Sequence, residues 1–203
     1  MNPLNNHKQS LILGIVLAVV IALALAAGIG GKIEFHPLAF ARWLHVVSGV
    51  FWIGLLYYFN AVQVPALAEA AGDKGGPGGA GITKYVAPRA LFWFRWAALV
   101  TWVAGAWLLG PKFMPAFTFG LSSGGADLSL VIIGIGAWLG TIMLLNVWGP
   151  IWQNQKKILG IKPATDEEKA KARKVALYAS RTNFVLSIPM LMCMVGTTHQ
   201  LPF

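Results

Sequence analysis

"LILGIVLAVVIALALAAGIG", residues 11–30, holds no charged side chain. A helix needs about 20 mostly apolar residues to cross the hydrocarbon core of a bilayer, and this run has that length. The rest of the chain shares the bias. It has 203 residues, 57% of them hydrophobic and 11% charged, and a mean hydropathy of +0.64. Soluble domains carry roughly 25% charged residues. The composition is that of an integral membrane protein, and the length suits one helical bundle. A secretory signal is the competing reading of the run, since Lys8 precedes it and Ala24-Leu25-Ala26 resembles a cleavage site. The apolar stretch is too long for a typical signal core, so a retained helix is expected.

Outward from that run, four more stretches have spanning length. The expectation is an all-α fold, a single transmembrane domain over 1–203. Its spans fall at roughly 10–30, 37–64, 90–110, 128–152 and 178–201. Lysine and arginine orient them. With the N-terminus inside, thirteen of the sixteen basic residues fall on the inner side, and only Lys32, Arg42 and Lys112 fall outside. Basic residues concentrate on the cytoplasmic side, which predicts N-in/C-out in a bacterial inner membrane. The net charge of +9 is therefore a topology signal, and no nucleic-acid partner is expected; the surrounding partner is the lipid bilayer.

Local signals refine the picture. "AGDKGGPGGAG" (71–81) has linker composition. Thr165 followed three residues later by Glu168 makes a capping box. It predicts a cytoplasmic helix from about 166 that runs into the fifth span, where Pro189 is expected to introduce a kink. Gly136 and Gly140 form a GxxxG, a pattern of close helix approach. There is one cysteine, Cys193, so no intrachain disulfide framework exists, and CxxCH, the covalent haem signature, is absent from these residues.

Polar side chains at membrane depth are costly and mark function. On the predicted topology they sort into two layers. Near the outer face lie Arg42 and His45 in the second span and His199 at the end of the fifth, with His36 in the outer loop. Near the inner face lie Asn60, Gln63, Arg95, Asn146, Gln153, Asn154, Arg181 and Asn183. The outer layer suggests haem b. Non-covalent haem in a bundle takes imidazoles from facing helices, here His45 and His199 as iron ligands with His36 in reserve. Ser48, Gly49 and Trp52 share the His45 face at helical spacing, and small residues let a flat macrocycle approach the backbone. Arg42, one turn outward, is placed for a propionate. The bland alternative is that His45 hydrogen-bonds a neighbouring helix while His36 and His199 sit at the interface. Copper competes more weakly: Met190, Met192, Cys193 and Met194 near His199 are soft donors, but methionine is common core filler.

"FARWLHVVSGVFWIGLLYYFNAVQVPAL", "NVWGPIWQNQKKILG" and "SRTNFVLSIPMLMCMVGTTH" resemble the membrane domain of bacterial membrane-bound urate oxidases, the urate oxidase N-terminal family. The resemblance covers the second to fifth spans. It implies oxidation of urate to 5-hydroxyisourate with electrons passed to a cytochrome c. In typical members a cytochrome c domain follows the membrane part; without CxxCH here, the cytochrome is expected on another polypeptide, or the chain serves another task. A C-out terminus would set such a cytochrome beside the outer haem layer. For a flat anionic purine, Arg95 or Arg181 supplies charge and paired donors. Asn60, Gln63, Asn146 and Asn183 supply amide edges. The alternative is that these residues satisfy one another. Gln63 lies 18 residues beyond His45, about 27 Å along a helix, too far for direct electron exchange with an outer haem. No catalytic residue is assigned. Two classes of function remain: an oxidoreductase acting on urate or a similar small reductant, and a non-catalytic haem-carrying or structural subunit of a respiratory complex. A transporter is a remote third.

Overall fold

The computed structural model describes residues 2–28, 33–124 and 127–202. Among them the regular structure is entirely helical. Five long helices follow in order: α1 (His7–Gly28), α2 (Pro37–Gly72), α3 (Ile82–Phe117), α4 (Leu128–Ile158) and α5 (Asp166–His199). The first four are long and apolar enough to cross a membrane. α5 falls short by that measure: its first turns are charged, and Arg181, Asn183, Thr197, Thr198 and His199 dilute the remainder. The helix expected near 166 and the fifth apolar stretch form one continuous element, and helical assignment runs through Pro189.

The chain divides into two compact units, Met1–Pro37 and Leu38–Phe203. In the first unit α1 has no buried residue, as suits a helix whose every face is apolar. The second unit holds the core. Trp52, Leu56 and Phe59 of α2 meet Leu91, Phe94 and Ala98 of α3, Met143, Val147 and Ile151 of α4, and Met190 of α5. Large apolar side chains also face outward, among them Val50 (67% exposed), Leu145 (64%) and Val185 (67%). A soluble protein buries such stripes, whereas lipid accepts them. The molecule is a membrane protein.

Proline shapes three of the helices. Wide π-type turns interrupt α2 at Tyr58–Gln63 and α4 at Val147–Ile151, and one opens α3 at Ile82–Val86. Each has a proline inside it or within two residues of its end: Pro65, Pro88 and Pro150. A proline lacks the N–H for the ordinary i→i−4 bond and crowds that carbonyl, and a π-type turn absorbs the misfit. In α4 the distortion is largest at Gly149 (φ −81°, ψ −105°). The Asn154 side chain donates to the Pro150 carbonyl at 2.7 Å, a bond within the turn that follows the bend.

α4 and α5 pack closely at Gly136. A Cβ there would stand 3.0 Å from Cys193 Cβ, so glycine is what lets the helices touch. Gly140 is buried but would meet nothing within 4 Å; of the GxxxG pair, Gly136 makes the close approach. The capping box at the start of α5 is formed in full: Thr165 Oγ1 accepts from the Glu168 N–H, and Glu168 Oε2 accepts from the Thr165 N–H at 2.8 Å. The Thr165 N–H bond and then Lys157, 3.9 Å from Glu168, hold that carboxyl below the usual glutamate range.

Candidate functional site

His45 is half-buried on α2 and faces α3. Its Nδ1 lies 2.8 Å from the Thr101 carbonyl oxygen. A carbonyl can only accept, so Nδ1 carries the proton, and in the neutral ring the lone pair is left on Nε2. One turn along α3, Gly105 makes room: a Cβ there would come 3.0 Å from His45 Cε1 and 3.1 Å from Nδ1. The Thr101 hydroxyl donates to the Ala97 carbonyl at 2.7 Å and stands 3.0 Å from Ser48 Oγ. Ser48 itself donates to the Leu44 carbonyl at 2.6 Å.

Ser48 and Gly49 share the His45 face as expected, and they are used in helix packing. A Cβ on Gly49 would sit 3.7 Å from Thr101 Cγ2, so both small residues line the α2–α3 contact. Trp52 is buried in the core at 2% exposure, and its indole N–H has no acceptor among the described residues. Arg42 is exposed one turn before His45. His199 ends α5 and is also exposed. His36 belongs to the first unit. Sequence reading missed Thr101 and Gly105. Their four-residue spacing on one face of α3 was the available signal, yet nothing in it names His45 as the group they meet.

The other polar layer is mostly self-satisfied. Asn146 Nδ2 donates to Asn183 Oδ1 at 3.0 Å, and Asn183 Nδ2 donates to the Met143 carbonyl at 2.9 Å. Asn60 Nδ2 donates to the Leu56 carbonyl and to Ser180 Oγ, each at 2.9 Å. Arg95 lays its guanidinium over the Trp152 ring, 4.0 Å from the centroid, with Phe92 at 5.3 Å, an arrangement that lets a cation sit among aromatics. Arg181 is exposed beside Tyr178, and Gln153 is exposed as well. The two arginines and the amides do not assemble into one anion pocket. Gln63 is different: it lines a partly open cavity of about 280 Å³.

The soft-donor group spreads over two faces of α5. Met190 and Cys193 are buried, whereas Met192 is 39% exposed. Among the described residues, no three His, Cys, Asp or Glu side chains cluster to hold a metal ion. No family model, curated protein or solved structure matches the chain.

Proposed function

We propose that this chain is a five-span, N-in/C-out protein of a bacterial inner membrane that binds haem b through His45 and works as a urate-oxidase-like redox protein. The observation that supports the haem reading is the Nδ1 contact to the Thr101 carbonyl, a bond to a neighbouring helix that the bland alternative expects as well; haem gives the free Nε2 a use. Histidines that ligate metals commonly donate their second nitrogen to a carbonyl or carboxylate, which fixes the ring and raises its basicity. His45 has that arrangement, with Nε2 left as the donor. Gly105 keeps the ring seated, and Thr101 is anchored in turn beside Ser48. Arg42, at the predicted outer edge, would pair with a propionate, and His199 would supply a second imidazole.

When bound, haem supplies one-electron chemistry between the substrate and an acceptor. The chain's own residues would hold the imidazole in one tautomer through the Thr101 carbonyl and could set the Arg42 cation near the carboxylates. The resemblance supplies the substrate. Urate gains the oxygen of one water and releases two electrons and two protons to give 5-hydroxyisourate, and the electrons go on to a periplasmic cytochrome c.

A second reading has its own support. Asn146 pairs with Asn183, Asn60 with Ser180, and Arg95 stacks on Trp152. Those side chains are engaged in packing, as they would be in a non-catalytic haem-carrying or structural subunit of a respiratory complex.

The test is the absorbance spectrum of the purified chain. We expect a Soret band that His45→Ala abolishes or shifts while the protein still inserts in the membrane. No band in wild type ends the haem reading. Reduction of the band on adding urate separates the oxidase from the subunit.

A further inference from the structure

The cavity at Gln63 lies on the proline-distorted part of α2, eighteen residues beyond His45. Its walls come from α2, α3, α4 and α5, and most of its surface is apolar. Phe59 and Phe94 form one side, their rings edge-to-face at 5.4 Å. Gln63 is 8% exposed, and among the described residues its Oε1 has no hydrogen-bond partner. Ser180 and Gln155 also line the space, with the exposed Arg173 at the margin. Ser180 already serves Asn60.

An amide oxygen held in an apolar wall without a donor is unfavourable and calls for a partner. That partner must bring an O–H or N–H, because Oε1 can only accept. The apolar, aromatic walls restrict what surrounds the donor. A heterocycle with polar groups all round its rim would leave several of them stranded against Phe59, Phe94 and their neighbours, whereas a carbon ring with one or two hydroxyls would not. Volume limits it further. A dry cavity of about 150 Å³ holds benzene, so about 280 Å³ accommodates a single substituted ring.

We propose that this cavity binds a hydroquinone-type ring, with a ring hydroxyl donating to Gln63 Oε1 between the walls of Phe59 and Phe94. The ligand chemistry has two sources, the headgroup of a membrane hydroquinone and a soluble phenol. The proposal is one of binding, independent of haem at His45.

The experiment uses the full-length chain in detergent and measures anaerobic equilibrium binding of tetramethylhydroquinone and of the matching quinone, which lacks the hydroxyl protons. We expect saturable binding of the hydroquinone and at least tenfold weaker binding of the quinone. Gln63→Met keeps the side-chain length and removes the acceptor, so it should erase that preference while the helical content stays unchanged. A decyl-substituted hydroquinone assigns the source: tighter binding than the tail-less ring supports a membrane ligand, and equal binding supports a soluble phenol. No saturable binding of either ring would show that the cavity takes no such ring, and equal affinity for both in wild type, or a preference that survives Gln63→Met, would show that no ring hydroxyl donates to Gln63 Oε1. The comparison in wild type needs no variant to fold.

Discussion

At the scale of single residues, the seat of His45 depends on a side chain that is absent. Gly105→Ala would put a methyl group 3.0 Å from the imidazole carbon. The ring would have to move, and with it the bond to the Thr101 carbonyl. Forcing a carbon into a filled contact typically costs about 1–3 kcal/mol. We expect a lower unfolding midpoint in denaturant together with reduced haem content; wild-type haem content would mean that the Thr101 contact does not orient the ligand. Arg42 makes a different prediction. It is exposed, so water at the membrane edge screens any pair it forms, and its loss should weaken haem rather than abolish it. Arg42→Gln should speed haem loss and shift the midpoint potential, and Arg42→Lys should do less because the charge remains. Redox titration of the three proteins decides: identical content and potential would leave Arg42 as a marker of the membrane edge. His45 and Arg42 stood out in the sequence because lipid tolerates neither. Thr101 and Gly105 are ordinary membrane-helix residues, and only proximity gave them a role.

At the scale of helices, α5 begins where local chemistry says it must. Thr165→Ala removes the oxygen that accepts from the Glu168 N–H, and loss of such a cap costs about 1 kcal/mol. The reciprocal bond adds a pH dependence. The carboxyl of Glu168 titrates lower in the folded chain than in the unfolded one. Its stabilising effect is therefore complete above the ordinary glutamate value, about 4.3, and is lost as pH falls through its lower folded value. Hydrogen exchange over the first turns of α5 should accelerate across that acidic window in wild type and show a smaller pH response in Glu168→Gln. The wide turns in α2, α3 and α4 have Pro65, Pro88 and Pro150 in or beside them, whereas the one distortion expected from the sequence was at Pro189 in α5. What the prolines did not reveal is that Asn60 and Gln63 lie inside one of those turns and Asn146 at the edge of another. Three of the eight side chains in the polar layer read from membrane depth therefore sit where the backbone leaves the regular helix.

For the whole molecule, charge and hydropathy act together. Thirteen basic residues on one predicted side and three on the other favour N-in/C-out, which requires α5 to cross although its charged start sets it apart from α1 to α4. A periplasm-dependent reporter fused after Phe203 should be active, and a cytoplasm-dependent one silent. The opposite result would overturn the inner and outer assignment of both polar layers, because α5 runs antiparallel along α4, from Asn183 at Asn146 to Cys193 at Gly136, and ends on the side where α4 begins. The linker at 71–81 and the stretch between α4 and α5 should then be reached by cytoplasmic labelling reagents in the N-in/C-out protein.

The sequence by itself determined the class of molecule, the approximate bounds of its helices and the cap that starts α5. Those properties rest on composition, on runs of about 20 residues and on contacts within one turn, all local along the chain. Tertiary structure decided which polar groups remain available. Asn146 found Asn183, and the Asn60 amide nitrogen found Ser180, across helix interfaces, Arg95 found the face of Trp152, and the amide oxygens of Asn60 and Gln63 found no donor among the described residues. His45 met a carbonyl 56 residues away. Hydrogen bonds between helices depend on rotation and depth to within an ångström, and helical periodicity fixes neither: it says which face a residue occupies, and packing says what stands opposite.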